Sequence, residues 1–272
     1  MKKGSRSAAL NSPYVVWSAL FVIVPLVIVA YYAFTDSSGS FTFSNIKELV
    51  NYGETIRISL LYSLIATVIS LVIAYPFAYF MSKFSENSQR TLMMLVMLPM
   101  WMNLLIRTYS WMNILEQNGL INNLLTKIGL SPVKFLGTPA AVIFGMIYNY
   151  LPYMIIPIYN VLSKLDTSLL DAASDLGCNP FARLVKVVFP LSIPGVLSGI
   201  SMVFVPSVST FYISQKLGSG KILLIGDTIE RFIKTSYNYN MGAALSLILM
   251  IIILISMMVM NRTADDGGEL IV

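Results

Sequence analysis

The sequence contains no histidine and a single cysteine, Cys178, in 272 residues. Histidine-based proton transfer, disulfides and His/Cys metal clusters are therefore excluded within the chain. Cys178 reads as a lone cytosolic thiol. Charge is also scarce: 11% of residues are Asp, Glu, Lys or Arg, against about 25% in an average soluble domain. Acidic side chains are missing altogether from the long apolar runs, which argues against a membrane-embedded hydrolase and leaves no catalytic residue to nominate. A nucleotide loop is missing too. Gly218-Ser219-Gly220-Lys221 looks like one, but the phosphate-binding pattern needs Gly and Ser/Thr where Gln215 and Ile222 stand. The net charge of +5 fits anionic lipid headgroups better than nucleic acid.

What the chain has instead is uncharged apolar length. Hydrophobic residues make up 56% of it, with a mean hydropathy of +0.74. Six runs mark spans, at Pro13–Thr35, Ile58–Ser82, Thr91–Leu115 (interrupted by Arg107), Phe135–Ser163, Val187–Ser214 and Met241–Asn261. Each reaches the roughly 20 residues a helix needs to cross a bilayer. The fold class expected is an all-α membrane protein of six transmembrane helices. Residues 1–12 form a cytoplasmic flank, 13–261 the six-helix domain and 262–272 a tail. The first run is longer than a signal-peptide core and no clear cleavage site follows it, so it reads as a retained anchor. Lys2, Lys3 and Arg6 ahead of it favour a cytoplasmic N-terminus, although lysines and arginines divide almost evenly between the two sides. Pro25, Pro76, Pro99, Pro152, Pro157, Pro194 and Pro206 punctuate the spans, each removing one backbone donor.

Between the fourth and fifth runs lies a polar stretch, DAASDLGCNPFARLVKVVFP, from Asp171 to Pro190. Asp166, Thr167 and Ser168 are candidate N-caps, and Leu169, Leu170, Ala173 and Leu176 recur at helical spacing. Gly177 sits where a helix ends in a left-handed residue. Asn179-Pro180 then restarts one, as cap and first turn. The local reading is two short helices joined by a turn at about 166–190. Asp171 fits two roles, a capping-box partner of Ser168 or an outward contact residue.

The spacing Asp171-Ala172-Ala173, Gly177 after three residues, then Val187-Val188-Phe189-Pro190 after nine resembles the cytoplasmic motif of ATP-binding cassette importer permeases. This sequence departs from it in carrying Asp for Glu at the first position. The resemblance implies the type I importer permease fold, with coupling helices on which Asp171, Ala172, Ala173, Asp175 and Gly177 contact a partner ATPase. It also implies that ATP and magnesium are bound by that partner, with no cofactor or metal in this chain. The resemblance further implies that the ATPase is a dimer and that a second homologous permease and an external binding protein complete the system. The location implied is the bacterial inner membrane, multi-pass.

A second resemblance runs through Pro99–Tyr109, Asn118–Asn123, Leu151–Met154, Phe211–Ser214 and Leu223–Gly226. These words look like the first permease subunit of bacterial spermidine/putrescine importers. They imply polyamine import, with a substrate route along Trp101, Asn103, Arg107, Tyr109, Tyr148, Tyr153, Phe211 and Tyr212. With no carboxylate in the spans, a cation would meet aromatic faces and amides, each cation–π contact contributing about 0.5–2 kcal/mol. Gln215 stands where relatives of this kind often carry an acid, so an importer permease for another small solute stays open. A secondary transporter is a further alternative, although only Arg107 is ionisable within a run. Packing or a membrane-interface belt is the competing role for each aromatic, and snorkelling or structural pairing the competing role for Arg107.

The orientation is testable. In a Cys178→Ala background, single cysteines at Ser40 and Asn179 should react with an impermeant maleimide from opposite sides, Ser40 from outside. Reaction of both from outside overturns the orientation.

Overall fold

The computed structural model describes residues 16–269. The 1–12 flank with its basic residues lies outside the described residues, as do 13–15 and 270–272. In chain order the helices are α1 (Val16–Ala33), α2 (Gly53–Met81), α3 (Glu86–Trp101), α4 (Leu104–Leu115), α5 (Leu120–Lys127), α6 (Pro139–Leu162), α7 (Thr167–Asp175), α8 (Pro180–Ser209), α9 (Tyr212–Leu217), α10 (Ile225–Lys234) and α11 (Tyr239–Glu269). Short helical turns over 44–52 lead into α2. Among the described residues the extended pairing is one isolated bridge, Thr35 to Phe41.

Among the described residues five helices are long and apolar enough to cross a membrane: Val16–Ala33, Ser44–Met81, Pro139–Leu162, Pro180–Ser209 and Tyr239–Met260. The sixth span is not one helix. The run read as Thr91–Leu115 is split into Glu86–Trp101 and Leu104–Lys127, whose axes differ by 89°. Met102 turns extended at ψ 144°, and Asn103 caps α4 by accepting a 2.7 Å hydrogen bond from the Leu105 amide. Pro99 has already removed one donor from the last turn of α3, so the ladder is weakest where Asn103 offers an alternative.

The chain divides into two compact units. One holds residues 16–54 and 228–252. Its core is Ala33, Leu49, Met241, Ala243, Ala244 and Leu245. Asn45 and Asn240 fasten it: both side-chain amides donate to the Thr35 carbonyl, at 2.8 and 2.7 Å.

The other unit holds residues 55–227 and 253–269, and its centre is α2, α6 and α8. On α2 the buried stripe is small up to its last turn: Ser59, Ser63, the adjacent Ala66 and Thr67, Ser70, Ala74 and Ala78 follow one helix face, which ends in Met81. Leu61, Leu64, Val68 and Val72 face outward. Small residues inside and large ones outside is the pattern of a membrane helix, whose association rests on close backbone approach rather than on the hydrophobic effect. Met154, Ile155, Ile158 and Leu162 of α6 meet Val188, Val196 and Val203 of α8 and Ala74, Ala78 and Met81 of α2. The Tyr75 and Ser192 hydroxyls join α2 to α8 at 2.9 Å. Tyr159 donates to Gln89, which in turn donates to the Ser82 and Phe84 carbonyls, fixing the α2–α3 turn beside the end of α6.

The backbones of α6 and α8 come into contact at Gly195. A Cβ there would lie 2.8 Å from the Pro157 carbonyl oxygen and 3.2 Å from Ile158 Cα. Neither backbone atom can rotate away, so Gly195→Val should separate α6 from α8 at a cost of about 1–3 kcal/mol. The readout is a lower unfolding midpoint of the detergent-solubilised protein. An unchanged midpoint would mean the two helices can part without loss.

Candidate functional site

Two places carry the residues singled out by the sequence. The first is the turn between α7 and α8. Asp166, extended at ψ 122°, caps α7 by accepting from the Ser168 amide at 2.9 Å. Hydrogen bonds from the Ser168 backbone and hydroxyl hold the Asp166 carboxyl below its usual range. A lowered folded pKa means the cap is intact above the ordinary carboxylate range and is lost as pH falls through the lowered value. Because Asp166 is the cap, Asp171 is not needed as one; it lies exposed one turn further along, with Ala172 and Asp175 also exposed and Ala173 buried.

Gly177 ends α7 at φ +80°. The Cys178 amide donates to the Ala173 carbonyl at 3.0 Å and the Gly177 amide to the Ser174 carbonyl at 2.9 Å. These are the six-to-one and five-to-two bonds of a Schellman motif. A Cβ at Gly177 would meet nothing within 4 Å, so glycine serves the backbone angle here and not space. Asn179 then caps the next helix by accepting from the Ala182 amide at 2.7 Å, with Pro180 in the first turn. Arg183 closes the turn from the far side, donating to Ser174 Oγ at 2.6 Å.

That second helix is not short, as the local reading has it. From Pro180 it runs unbroken to Ser209, passing through a π-helical segment at Leu184–Val188. Proline at 190 and 194 does not stop it, although each removes one ladder donor. The turn therefore sits on the end of a spanning rod. Its tip is apolar: Leu176 is 85% exposed and Phe181 73%. Sequence spacing puts Leu176 with the packed face, but termination of α7 at Asp175 swings it outward.

The second place is the α3–α4 break with the nearby parts of α6, α8 and α9. Trp101, 76% exposed, stands at the break beside the exposed Asn103. Arg107 does not snorkel. It is 8% exposed, its Nε and Nη1 have no hydrogen-bond partner, and the Tyr150 phenol, facing Thr210, lies within its electrostatic reach. Tyr109 and Tyr212 meet edge to face at 6.1 Å. Lys216 Nζ lies 4.9 Å from the Tyr109 ring centre and 5.7 Å from that of Tyr212. Tyr148 is half-buried and packs edge-on against Trp111 at 5.1 Å, and Tyr153 lies near Tyr150 with ring centres 6.4 Å apart. Trp101 and the exposed Phe211 make no ring contact among the described residues.

Sequence reasoning missed Lys216, although it stands four residues after Tyr212 on one helical face. It also missed Asn149, buried in α6 with its amide donating to the Gly145 carbonyl and its Oδ1 unpartnered. Asp227 is a buried carboxylate between spans, its Oδ2 accepting from the Leu224 amide at 2.9 Å. Among the described residues no three His, Cys, Asp or Glu side chains converge to hold a metal ion.

Among the described residues, five helices of spanning length, one broken span and a doubly capped turn make up a multi-span helical membrane fold. Residues 5–265 match the family described as binding-protein-dependent transport system inner membrane component, and the chain belongs to it. It is 38% identical over 256 residues to the spermidine/putrescine transport system permease protein PotB of Haemophilus influenzae, covering 90% of each chain. To PotB of Escherichia coli K12 it is 35% identical, covering 91% of this chain and 94% of the relative. The fold matches that of a bacterial ABC transporter that imports alginate, with a TM-score of 0.77 at 17% identity over 97% of this chain and 96% of that one. The chain is thus an inner-membrane, multi-pass protein with the type I ABC importer permease fold.

The turn makes a structural prediction. A side chain in the left-handed region costs about 1–2 kcal/mol, Asn less than most. Gly177→Val should open the turn and speed maleimide labelling of the half-buried Cys178 about 5- to 30-fold, and Gly177→Asn clearly less. Equal rates for all three chains would show that the Schellman bonds do not hold Cys178.

Proposed function

We propose that the chain is one permease subunit of an ATP-driven importer of polyamines, of the spermidine/putrescine type. The observation carrying the substrate class is the 38% identity to the Haemophilus influenzae spermidine/putrescine permease across nine-tenths of both chains. The chemistry of the second site supports it: tyrosine faces already hold an ammonium group, that of Lys216. In this reading the chain catalyses no reaction. An ATPase dimer binds ATP and magnesium, a second homologous permease completes the membrane part and an external binding protein delivers substrate.

The α7 turn is the contact with the ATPase. Asp171, Ala172 and Asp175 offer polar contacts, Ala173 holds α7 down, and Leu176 and Phe181 form an apolar tip that a groove buries. Since α8 is continuous from the turn to Ser209, displacement of the tip tilts a whole span as a rigid body. Gly177 keeps the two helices at a fixed angle, so the push is transmitted rather than absorbed.

On the substrate side, Trp101, Asn103, Tyr109, Tyr148, Tyr153, Phe211 and Tyr212 line a route for a flexible cation. Arg107 sets its positive charge against leakage along this wall, and its counter-charge comes from the second permease.

Uptake of labelled spermidine by the reconstituted system tests the reading, with putrescine, amino acids and sugars as competitors. Competition by putrescine alone is expected. Trp101→Ala and Tyr153→Ala should lower uptake about 2- to 30-fold, the range of one cation–π contact, and leave basal ATP hydrolysis intact. Gly177→Val should insert normally and lose uptake. Import of a sugar or an anion, unaffected by polyamines, overturns the substrate class and leaves the importer class standing.

A further inference from the structure

Lys216 is a four-carbon chain ending in a primary ammonium, and putrescine and the longer arm of spermidine are four-carbon chains ending in the same group. In the structure that ammonium lies over the Tyr109 ring at 4.9 Å and within 5.7 Å of the Tyr212 ring centre. The two rings meet edge to face at 6.1 Å, which offers an ammonium the electron-rich face of one beside the other. Among the described residues no carboxylate forms a salt bridge with Lys216. Tyr109 is exposed and Tyr212 and Lys216 half-buried, so the rest of the chain does not enclose the place.

The elements explain how the group arrives there. α9 begins at Tyr212 directly after the rod α8 ends, and Lys216 lies one helical turn beyond Tyr212 on the same face. Ile213, Ser214 and Leu217 on the other side of α9 are fully buried, Ile213 and Leu217 packing with Val142 and Met146. The short helix is therefore pinned, and Lys216 is presented to α4 at a fixed height.

We infer that Tyr109 and Tyr212 form a primary-alkylammonium site at the mouth of the permease, and that Lys216 is its tethered occupant, displaced by the incoming polyamine. This deepens the polyamine reading and rests on it. The tether carries a consequence for affinity. A site closed by its own side chain for part of the time binds an external ligand with an affinity lowered by the fraction left open. Lys216 thus weakens capture at the mouth while ensuring that no bare tyrosine pair holds the substrate too long to pass it on. It also screens against single-charge competitors. An inorganic cation gains only what it takes from Lys216, whereas a polyamine keeps further ammonium groups for contacts deeper in the route.

Steady-state uptake of spermidine by the complete reconstituted importer is the test. Lys216→Met keeps length and removes the charge; Lys216→Arg keeps a cation on the rings. The expected result is a KM about 3- to 10-fold lower for Lys216→Met, within the range of a cation–π competitor removed, and a KM close to that of the native chain for Lys216→Arg. Adding Tyr109→Leu to Lys216→Met should abolish the gain. A merely structural role of Lys216 predicts the opposite sign, because loosening α9 would raise KM or lower kcat. Unchanged or raised KM in Lys216→Met, with normal amounts of the complex in the membrane and normal uptake by the native chain, overturns the tethered occupant alone. No spermidine uptake by the native complex overturns the polyamine reading and this inference together.

Discussion

Every spanning segment of this chain answers to one constraint: inside a bilayer each backbone N–H and C=O has to find its partner within the protein. Helices meet it by default, and the sequence then tests it repeatedly with proline. Pro76, Pro152, Pro157, Pro194 and Pro206 all sit inside helices that continue past them. Independently of the prolines, Thr67, Thr108, Ser198 and Ser201 each donate to a carbonyl one turn back, a bond that bends a helix without breaking it. At Pro99 the outcome differs, because Asn103 supplies a ready cap for a new helix in another direction. The one broken span is therefore where an alternative set of hydrogen bonds was available, and its open end presents Trp101 and Asn103.

Function grows from what is rigid and what is left unfilled. α6 and α8 lie in backbone contact at Gly195, and α8 reaches from the Asn179 cap to Ser209, with a doubly hydrogen-bonded turn at one end and a packed short helix, α9, just past the other. The apolar tip at Leu176 and Phe181 is exposed, which is unfavourable in water. Arg107 is a buried guanidinium with two nitrogens unsatisfied, which is costly where it stands.

Carboxylates bind an ammonium ion strongly and desolvate poorly, whereas tyrosine faces bind it weakly and at little desolvation cost. Lys216 on the Tyr109–Tyr212 pair makes the principle visible within a single chain.

The sequence alone determined the class of fold, because the length of uncharged runs and the caps around Gly177 depend on local physics: hydrocarbon thickness, the missing Cβ of glycine, the missing N–H of proline. Asn179-Pro180 and the Gly177 turn were legible for that reason, and so was Asp166 among three candidate caps. Only the tertiary structure decided what lies across from what. Whether Pro99 bends the third span or ends it depends on a contest between two hydrogen-bond ladders that sequence periodicity does not weigh. That α8 continues through Pro190 and Pro194 runs against the local signal, since each proline removes a ladder donor and favours a stop. The burial of Arg107, and the meeting of Tyr109 with Lys216 across more than a third of the chain, depend on helix packing. Packing in lipid is set by small-residue contacts on faces that carry no hydrophobic signature, so it leaves little trace in the sequence.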